Sequence, residues 1–171
     1  MKALYGSLII CISFSSCVNN NTPRLAKNKN LDNNWSNSIT FAKKIFSQED
    51  KKILKYLEDN DLSGFERTHD GFWFRIEGER TAPSSKSEVI IEYSVLSMNG
   101  DEVYEKRNQS VLLNKTDIIQ GLNDGLKLMN EGEIFTFIFP SYKAYGLYGD
   151  GNKVLPNTSL MYKVTLLKIL N

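Results

Sequence analysis

Two spacings organise the apolar residues of the chain. Toward the C-terminus they alternate: Leu160, Tyr162, Val164 and Leu166 fall on one side of an extended segment and Met161, Lys163 and Thr165 on the other, the period-two pattern of a half-buried strand. Short runs rich in β-branched and aromatic residues carry the same texture through 72–76, 88–98, 111–113, 133–139 and 160–170, and predict an antiparallel sheet. Before Asp61 the spacing changes. Ile39, Ala42, Phe46, Ile53 and Leu57 follow Trp35 at steps of three, four and seven and lie on one stripe of a helix, which predicts a face packed on the body of its own chain. Ser47, followed by Gln48, Glu49 and Asp50, can cap and charge a new helix start, so one helix or two fit this segment.

A second helical pattern interrupts the strands. Ile118, Ile119, Leu122, Leu126 and Met129 form an apolar face, Asp117 can cap or charge its start, and Gly132 follows its end. Gly121 and Gly125 sit one turn apart on this helix, where missing side chains let it lie close to a sheet. The predicted fold class is α+β: a curled antiparallel β-sheet wrapped on a short helix, with an N-terminal helical extension.

The first residues belong to processing rather than to the fold. Met1 and Lys2 make a short positive head, and the apolar run from 3 to 14 has the length of a signal-peptide core and is too short to span a bilayer. It ends in Phe14-Ser15-Ser16-Cys17, which resembles a bacterial lipobox, and Cys17 is the expected lipidation site. With residues 1–16 removed as the signal peptide, Cys11 leaves and Cys17 carries the lipid, so no free thiol remains; this suits an exported protein. The alternative is an uncleaved, buried segment. Cleavage also removes one basic side chain, leaving 20 basic and 20 acidic groups. A neutral chain without a basic tract argues against nucleic acid as a partner. The next stretch, VNNNTPRLAKNKNLDNN, is rich in asparagine and poor in apolar residues, and is expected to be a tether reaching roughly 20–25 Å. The remaining length fits one domain with a real core.

Several chemistries find no support. The glycine-rich 146–151 lacks the order of a phosphate-binding loop and no helix follows it, so it reads as a turn. His69 is the only histidine and no mature cysteine can join it, which leaves no basis for a metal site or a histidine-dependent triad. No cofactor is expected.

One ordered series does carry chemistry. It runs Ile118-Ile119-Gln120-Gly121-Leu122-Asn123-Asp124-Gly125-Leu126, then Phe139-Pro140-Ser141-Tyr142-Lys143-Ala144-Tyr145-Gly146, then Val154-Leu155-Pro156-Asn157 before Leu160-Met161-Tyr162. The series resembles the FKBP-type peptidyl-prolyl cis–trans isomerases, over roughly residues 65–171. Each piece alone is weak and the order makes it specific.

The resemblance implies a pocket for a prolyl peptide and assigns its parts. Tyr145, through its hydroxyl, and Ile119, through its backbone N–H, would hold a substrate carbonyl. Ile118, Leu122, Val154 and Tyr162 would grip the proline ring, with Tyr93 on the opposite side. At 103–105 the register is open: one inserted residue makes Tyr104 the family's aromatic and Glu105 its acid, whereas no insertion gives Val103 and Tyr104. Leu122 stands where the family has a larger aromatic floor, Tyr162 adds a hydroxyl, and Gln109 replaces another aromatic. These departures keep a non-catalytic chaperone or scaffold as the alternative to an isomerase.

The resulting organisation is a signal peptide at 1–16, lipidated Cys17 and tether at 17–37, helical extension at 38–64 and isomerase domain at 65–171. The expected partners are Xaa-Pro segments of exported proteins and the membrane holding the lipid. Homodimerisation through the N-terminal helices, as in some exported relatives, is a further expectation. The wording of 139–146, the lipid signal and the helical preface resemble gliding-motility-associated lipoproteins of Bacteroidota. The absence of acidic residues just after Cys17 points to the outer membrane, facing the periplasm. Mass spectrometry of the N-terminus of membrane-extracted protein should find a diacylglycerol thioether on Cys17 as the first residue; an unmodified Cys17 would rule out the anchor.

Overall fold

The computed structural model of the chain describes residues 29–81 and 84–170. The expected signal segment, Cys17 and the expected tether up to residue 28 lie outside these residues. The described chain runs α1 (Lys29–Asp59), β1 (Glu66–Arg67), β2 (Trp73–Glu77), β3 (Glu88–Ser97), β4 (Glu102–Leu112), α2 (Gln120–Leu126), β5 (Ile134–Phe139), a 3₁₀ turn (Ser141–Lys143) and β6 (Leu160–Leu170).

α1 starts earlier than expected: residues 29–37, expected in the tether, are helical. Of the one or two helices that fit the segment, the structure has one, with Ser47 mid-helix. No glycine or proline interrupts 29–59, so a helix anchored at its C-terminal half can propagate backwards through polar residues. The acids read as a first turn are used in tertiary contacts instead. Glu49 is buried against Ser141, and Asp50 accepts a hydrogen bond from Arg67 at 2.8 Å. The apolar stripe packs only in part: Ile53 and Leu57 are buried, whereas Ile39 is exposed. The helix ends where Leu62 N–H donates to Leu57 O and Asp61 takes a positive φ of 51°.

All strand pairs are antiparallel, in the order β1-β2-β5-β6-β3-β4. β5 (IFTFIF) is central and buried on both faces. Phe135, Phe137 and Phe139 point into the main core with Leu122 and Leu126 of α2. Ile138 points the other way, onto Ile53 and Leu57 of α1 and Trp73 of β2. The sheet is thus a middle layer with one helix on each face. β6 follows its alternation, with Leu160, Tyr162, Val164 and Leu166 all buried.

β4 is the largest miss. Only its end, 111–113, was expected as strand, yet the strand spans eleven residues. It is an edge strand whose outer positions are polar, so it lacks the apolar alternation that marks a half-buried strand. Its pairing with β3 shifts twice between Tyr93 and Leu96, each shift inserting a residue in β4.

The β2–β3 connection is fastened by a buried polar cluster. Glu133 accepts hydrogen bonds from Thr81 N–H (2.8 Å), Thr81 Oγ1 (3.0 Å) and Asn130 N–H (2.7 Å). Asn130 accepts from Ser84 N–H (2.9 Å) and Oγ (3.0 Å). Burial pushes the Glu133 carboxyl up, but the donors of Thr81 and Asn130 and the charge of Arg80 outweigh it and hold the carboxyl below its ordinary value. A depressed carboxyl stabilises the fold above its unfolded pKa and loses that contribution as pH falls through the folded value. Glu133→Gln should therefore lower the unfolding free energy at pH 7 by about 2 kcal/mol in urea titrations. That difference should shrink as pH is taken below the ordinary glutamate value of about 4.3.

Candidate active site

The strand exit at Phe139-Pro140 creates the site. Proline brings no N–H to extend the ladder, so β5 stops there and the chain turns through 141–143. Ser141 O then accepts both Ala144 N–H (2.9 Å) and Gly146 N–H (2.8 Å), and Gly146, at φ 63°, swings the chain away. Tyr145 lies between these two tethered amides. Farther along, Gly149 has φ 70° where a Cβ would stand 2.1 Å from Val154 O, and Asp150 Oδ1 accepts Val154 N–H at 2.8 Å. The glycine-rich stretch is thus a turn that returns Val154 to the core.

α2 lies close enough to the sheet that side chains are excluded. A Cβ on Gly121 would stand 2.4 Å from Phe139 Cδ1 and 2.9 Å from Lys143 O, and one on Gly125 would stand 2.9 Å from the Phe137 ring. The helix begins later than the apolar face suggested. Ile119 is its N-cap residue, in extended conformation, and no side chain caps that end. Asp117, expected to cap the start, instead lines the cavity described next.

Between the start of α2 and the sheet lies a cavity of about 390 Å³. Leu122 lines it from α2, Ile118 and Ile119 from the residues just before the helix, Tyr145 from the turn, and Tyr93 and Tyr162 from the sheet. Six of the nine expected pocket residues therefore meet around one space. The other three do not line it. Val154 is buried in the core beside it, and Tyr104 is half-buried on β4. Glu105 is solvent-exposed. Tyr104 sits between the two β4 bulges, pairs with Val95, and its hydroxyl donates to Asp150 Oδ2.

The remaining wall is more polar than an apolar cup. Arg107, Asn108 and Gln109 of β4 line it together with Asp117. Arg107 Nε donates to the Tyr93 hydroxyl (2.8 Å), which donates to Gln109 Oε1 (2.9 Å), and the guanidinium lies over the Tyr93 ring at 4.9 Å. Arg107 and Asn108 escaped the sequence reading because β4 itself did; their signal was the strand pairing that sets Tyr93 opposite Arg107.

The tyrosines form a stack. Tyr162 is 2% exposed, parallel to Tyr93 at 5.9 Å between ring centroids, and edge-on to Phe139 at 5.3 Å. Burial pushes the Tyr162 phenol far up, aided by the neighbouring Tyr145. It remains a neutral donor throughout the pH range in which proteins are folded. On Tyr104 the bond to Asp150 has the same direction of effect, while Asp150 is held low: burial raises it, and the bonds from Tyr104, Val154 and Asn152 prevail.

A curled antiparallel sheet closed on a short helix, with a tyrosine-walled cavity at their seam, is an FKBP-like α+β domain. A model of the FKBP-type peptidyl-prolyl cis-trans isomerase family matches residues 79–167. The chain belongs to that family. It is 31% identical over 120 residues to the probable FKBP-type isomerase FkpA of Neisseria meningitidis, covering 67% of this chain and 44% of that protein. It is 30% identical over 123 residues to the FKBP-type 22 kDa isomerase of Escherichia coli, covering 68% and 59%. The crystal structure of FkpA from Escherichia coli superposes with a TM-score of 0.58 at 20% identity, over 85% of this chain and 74% of that one. The chain spans about half the length of the curated relatives it matches.

Proposed function

We infer that this protein is a peptidyl-prolyl cis–trans isomerase whose site is the cavity between α2 and the sheet. The observation that carries the reading is the convergence there of Tyr93, Ile118, Ile119, Leu122, Tyr145 and Tyr162. Rotation about an Xaa-Pro bond must break amide planarity, a barrier of roughly 18–20 kcal/mol. The twisted amide is less polar than the planar one, so a site that replaces water with rings and a few neutral donors favours it. No acid, base or covalent step is required. Tyr145 and the Ile119 N–H hold the substrate carbonyl; Ile118, Leu122 and Tyr162 enclose the ring, and Val154 supports it from the core. Tyr104 and Glu105 act at most at the rim.

The narrower reading is a lipid-anchored isomerase at the periplasmic face of the outer membrane, assisting the folding of exported proteins and belonging to the gliding-motility-associated lipoproteins. Its support is the sequence around Cys17, the helical preface and the wording of 139–146. Pairing through α1 fits its exposed Ile39 and Phe41 and an apolar hollow lined by Phe41, Ala42, Ile45, Phe46 and Leu147. The non-catalytic alternative draws on Leu122 and Gln109, which leave the cavity a smaller floor and a polar wall.

Exchange NMR on a short Xaa-Pro peptide should show catalysis by the wild type. Tyr145→Phe should lower it about three- to tenfold, the worth of one hydrogen bond. Tyr162→Ala should lower it at least about tenfold through loss of a cavity wall. A silent wild type would overturn the isomerase reading, and catalysis untouched by both variants would overturn this site. Light scattering should give a mass of two chains; a monomer at all concentrations would exclude the pairing.

A further inference from the structure

α1 lies outside the region that the family model matches, on the face of the sheet away from the cavity, yet it grips the turn that carries Tyr145. Glu49 is only 6% exposed. Its carboxylate accepts Ser141 N–H at 2.8 Å and Ser141 Oγ at 2.5 Å, across 92 residues of chain. A buried carboxylate is destabilising unless its oxygens are satisfied, and here both are engaged by one residue. Ser141 is also the residue whose carbonyl accepts Ala144 N–H and Gly146 N–H, the amides on either side of Tyr145. Gly146 O in turn accepts Asn157 N–H at 2.9 Å. One turn earlier on α1, Phe46 packs on Tyr142 with centroids 4.1 Å apart, and the Tyr142 hydroxyl donates to Gly71 O at 2.9 Å.

We propose that Glu49 is a positioning residue: by fixing Ser141 from behind the sheet it sets the placement of Tyr145 in the cavity, so that the N-terminal helix is part of the working site. The chain of contacts is continuous, from carboxylate to Ser141 amide and hydroxyl, and from Ser141 carbonyl to the amides flanking Tyr145. The opposite side of the turn is held by α2, where Lys143 Nζ donates to Asp124 Oδ2 at 3.2 Å and Lys143 O abuts Gly121. With Glu49 removed, the turn keeps its α2 contacts and loses its outer support, so Tyr145 samples positions away from the substrate carbonyl. Glutamine can replace the carboxylate, since its amide oxygen accepts Ser141 N–H and its NH₂ donates to Oγ.

The proposal rests on the isomerase reading for its kinetic test and stands apart from it in its spectroscopic one. In the full chain, Glu49→Ala should lower kcat about fivefold while KM moves less than about twofold, and Glu49→Gln should recover most of the loss. In a Tyr145→Phe background, Glu49→Ala should cost less than about 1.5-fold more, because both variants remove the same contact. Fully additive losses, or a Gln variant as poor as Ala, would overturn the proposal. Should Glu49→Ala not fold, Ser141→Ala enters the same cycle with the same expectations. Should the wild type not catalyse, the isomerase reading falls and amide exchange decides this one. Gly146 N–H should exchange about tenfold faster in Glu49→Ala while Val164 N–H in β6 keeps its rate. Equal changes at both amides, or none, would overturn it.

Discussion

The structure depends on how closely α2 can approach β5. Gly121 and Gly125 present bare backbone to the rings of Phe139 and Phe137, at distances where a Cβ has no room. Two glycines in a seven-residue helix sacrifice roughly 2 kcal/mol of helix propensity. The offsetting gain is geometric. With the helix axis pressed onto the sheet, Leu122 and Leu126 reach the core, and the residues before the helix, Ile118 and Ile119, come to face Tyr162. A helix set farther out by one methyl layer would leave a wide groove rather than a walled cavity, and the turn bearing Tyr145, which abuts Gly121 through Lys143 O, would lose its seat.

The same strand that receives α2 also receives α1. β5 alternates phenylalanines toward the main core with Ile138 toward α1, so a shift of one register would turn the phenylalanines onto α1 and leave the α2 face with the smaller Ile138. This two-sided burial explains why the strand exit is well defined. The chain leaving Phe139 emerges between two helices, each of which takes hold of the next few residues. Asp124 of α2 binds Lys143, and Glu49 of α1 binds Ser141. For Asp124, burial works against ionisation, but Lys127 and Lys143 prevail and keep the carboxyl low, so this hold persists at neutral pH.

Legibility in the sequence followed burial. The alternation of β6, the aromatic run of β5, the glycine pair of α2 and the ordered series around Tyr145 were readable because each is dictated by packing on a core. β4 was not, since an edge strand with polar outer positions carries no periodic apolar signal; with it went Arg107 and Asn108, and the lining became more polar than expected. The extent of α1 was misjudged for a related reason. Its first turns are mostly polar in sequence, so no apolar pattern marks where the helix starts, and the stretch reads as tether. Glu49 looked like an N-terminal dipole partner because its true partner lies 92 residues away, a pairing that local pattern does not encode.

The polar wall bears on how the cavity can act. A planar prolyl amide has the larger dipole, so a strong cationic donor at its carbonyl would stabilise the ground state more than the twisted state and slow the rotation. Arg107 is the one cation among the residues lining the cavity, and its Nε and guanidinium face are already engaged by Tyr93, with Tyr104 beneath the same guanidinium at 5.5 Å. Beside it the lining carries the phenols of Tyr93, Tyr145 and Tyr162 and the amides of Asn108 and Gln109. Tyr162, its phenol pushed up by burial, stays protonated beside the start of α2. Donors of that strength can orient a carbonyl without binding its planar form so tightly that turning becomes harder. On the proposed isomerase reading, the leucine floor at Leu122 would bear mainly on how firmly the ring is gripped, a matter of affinity, while the tyrosine wall would supply the electrostatic condition for rotation.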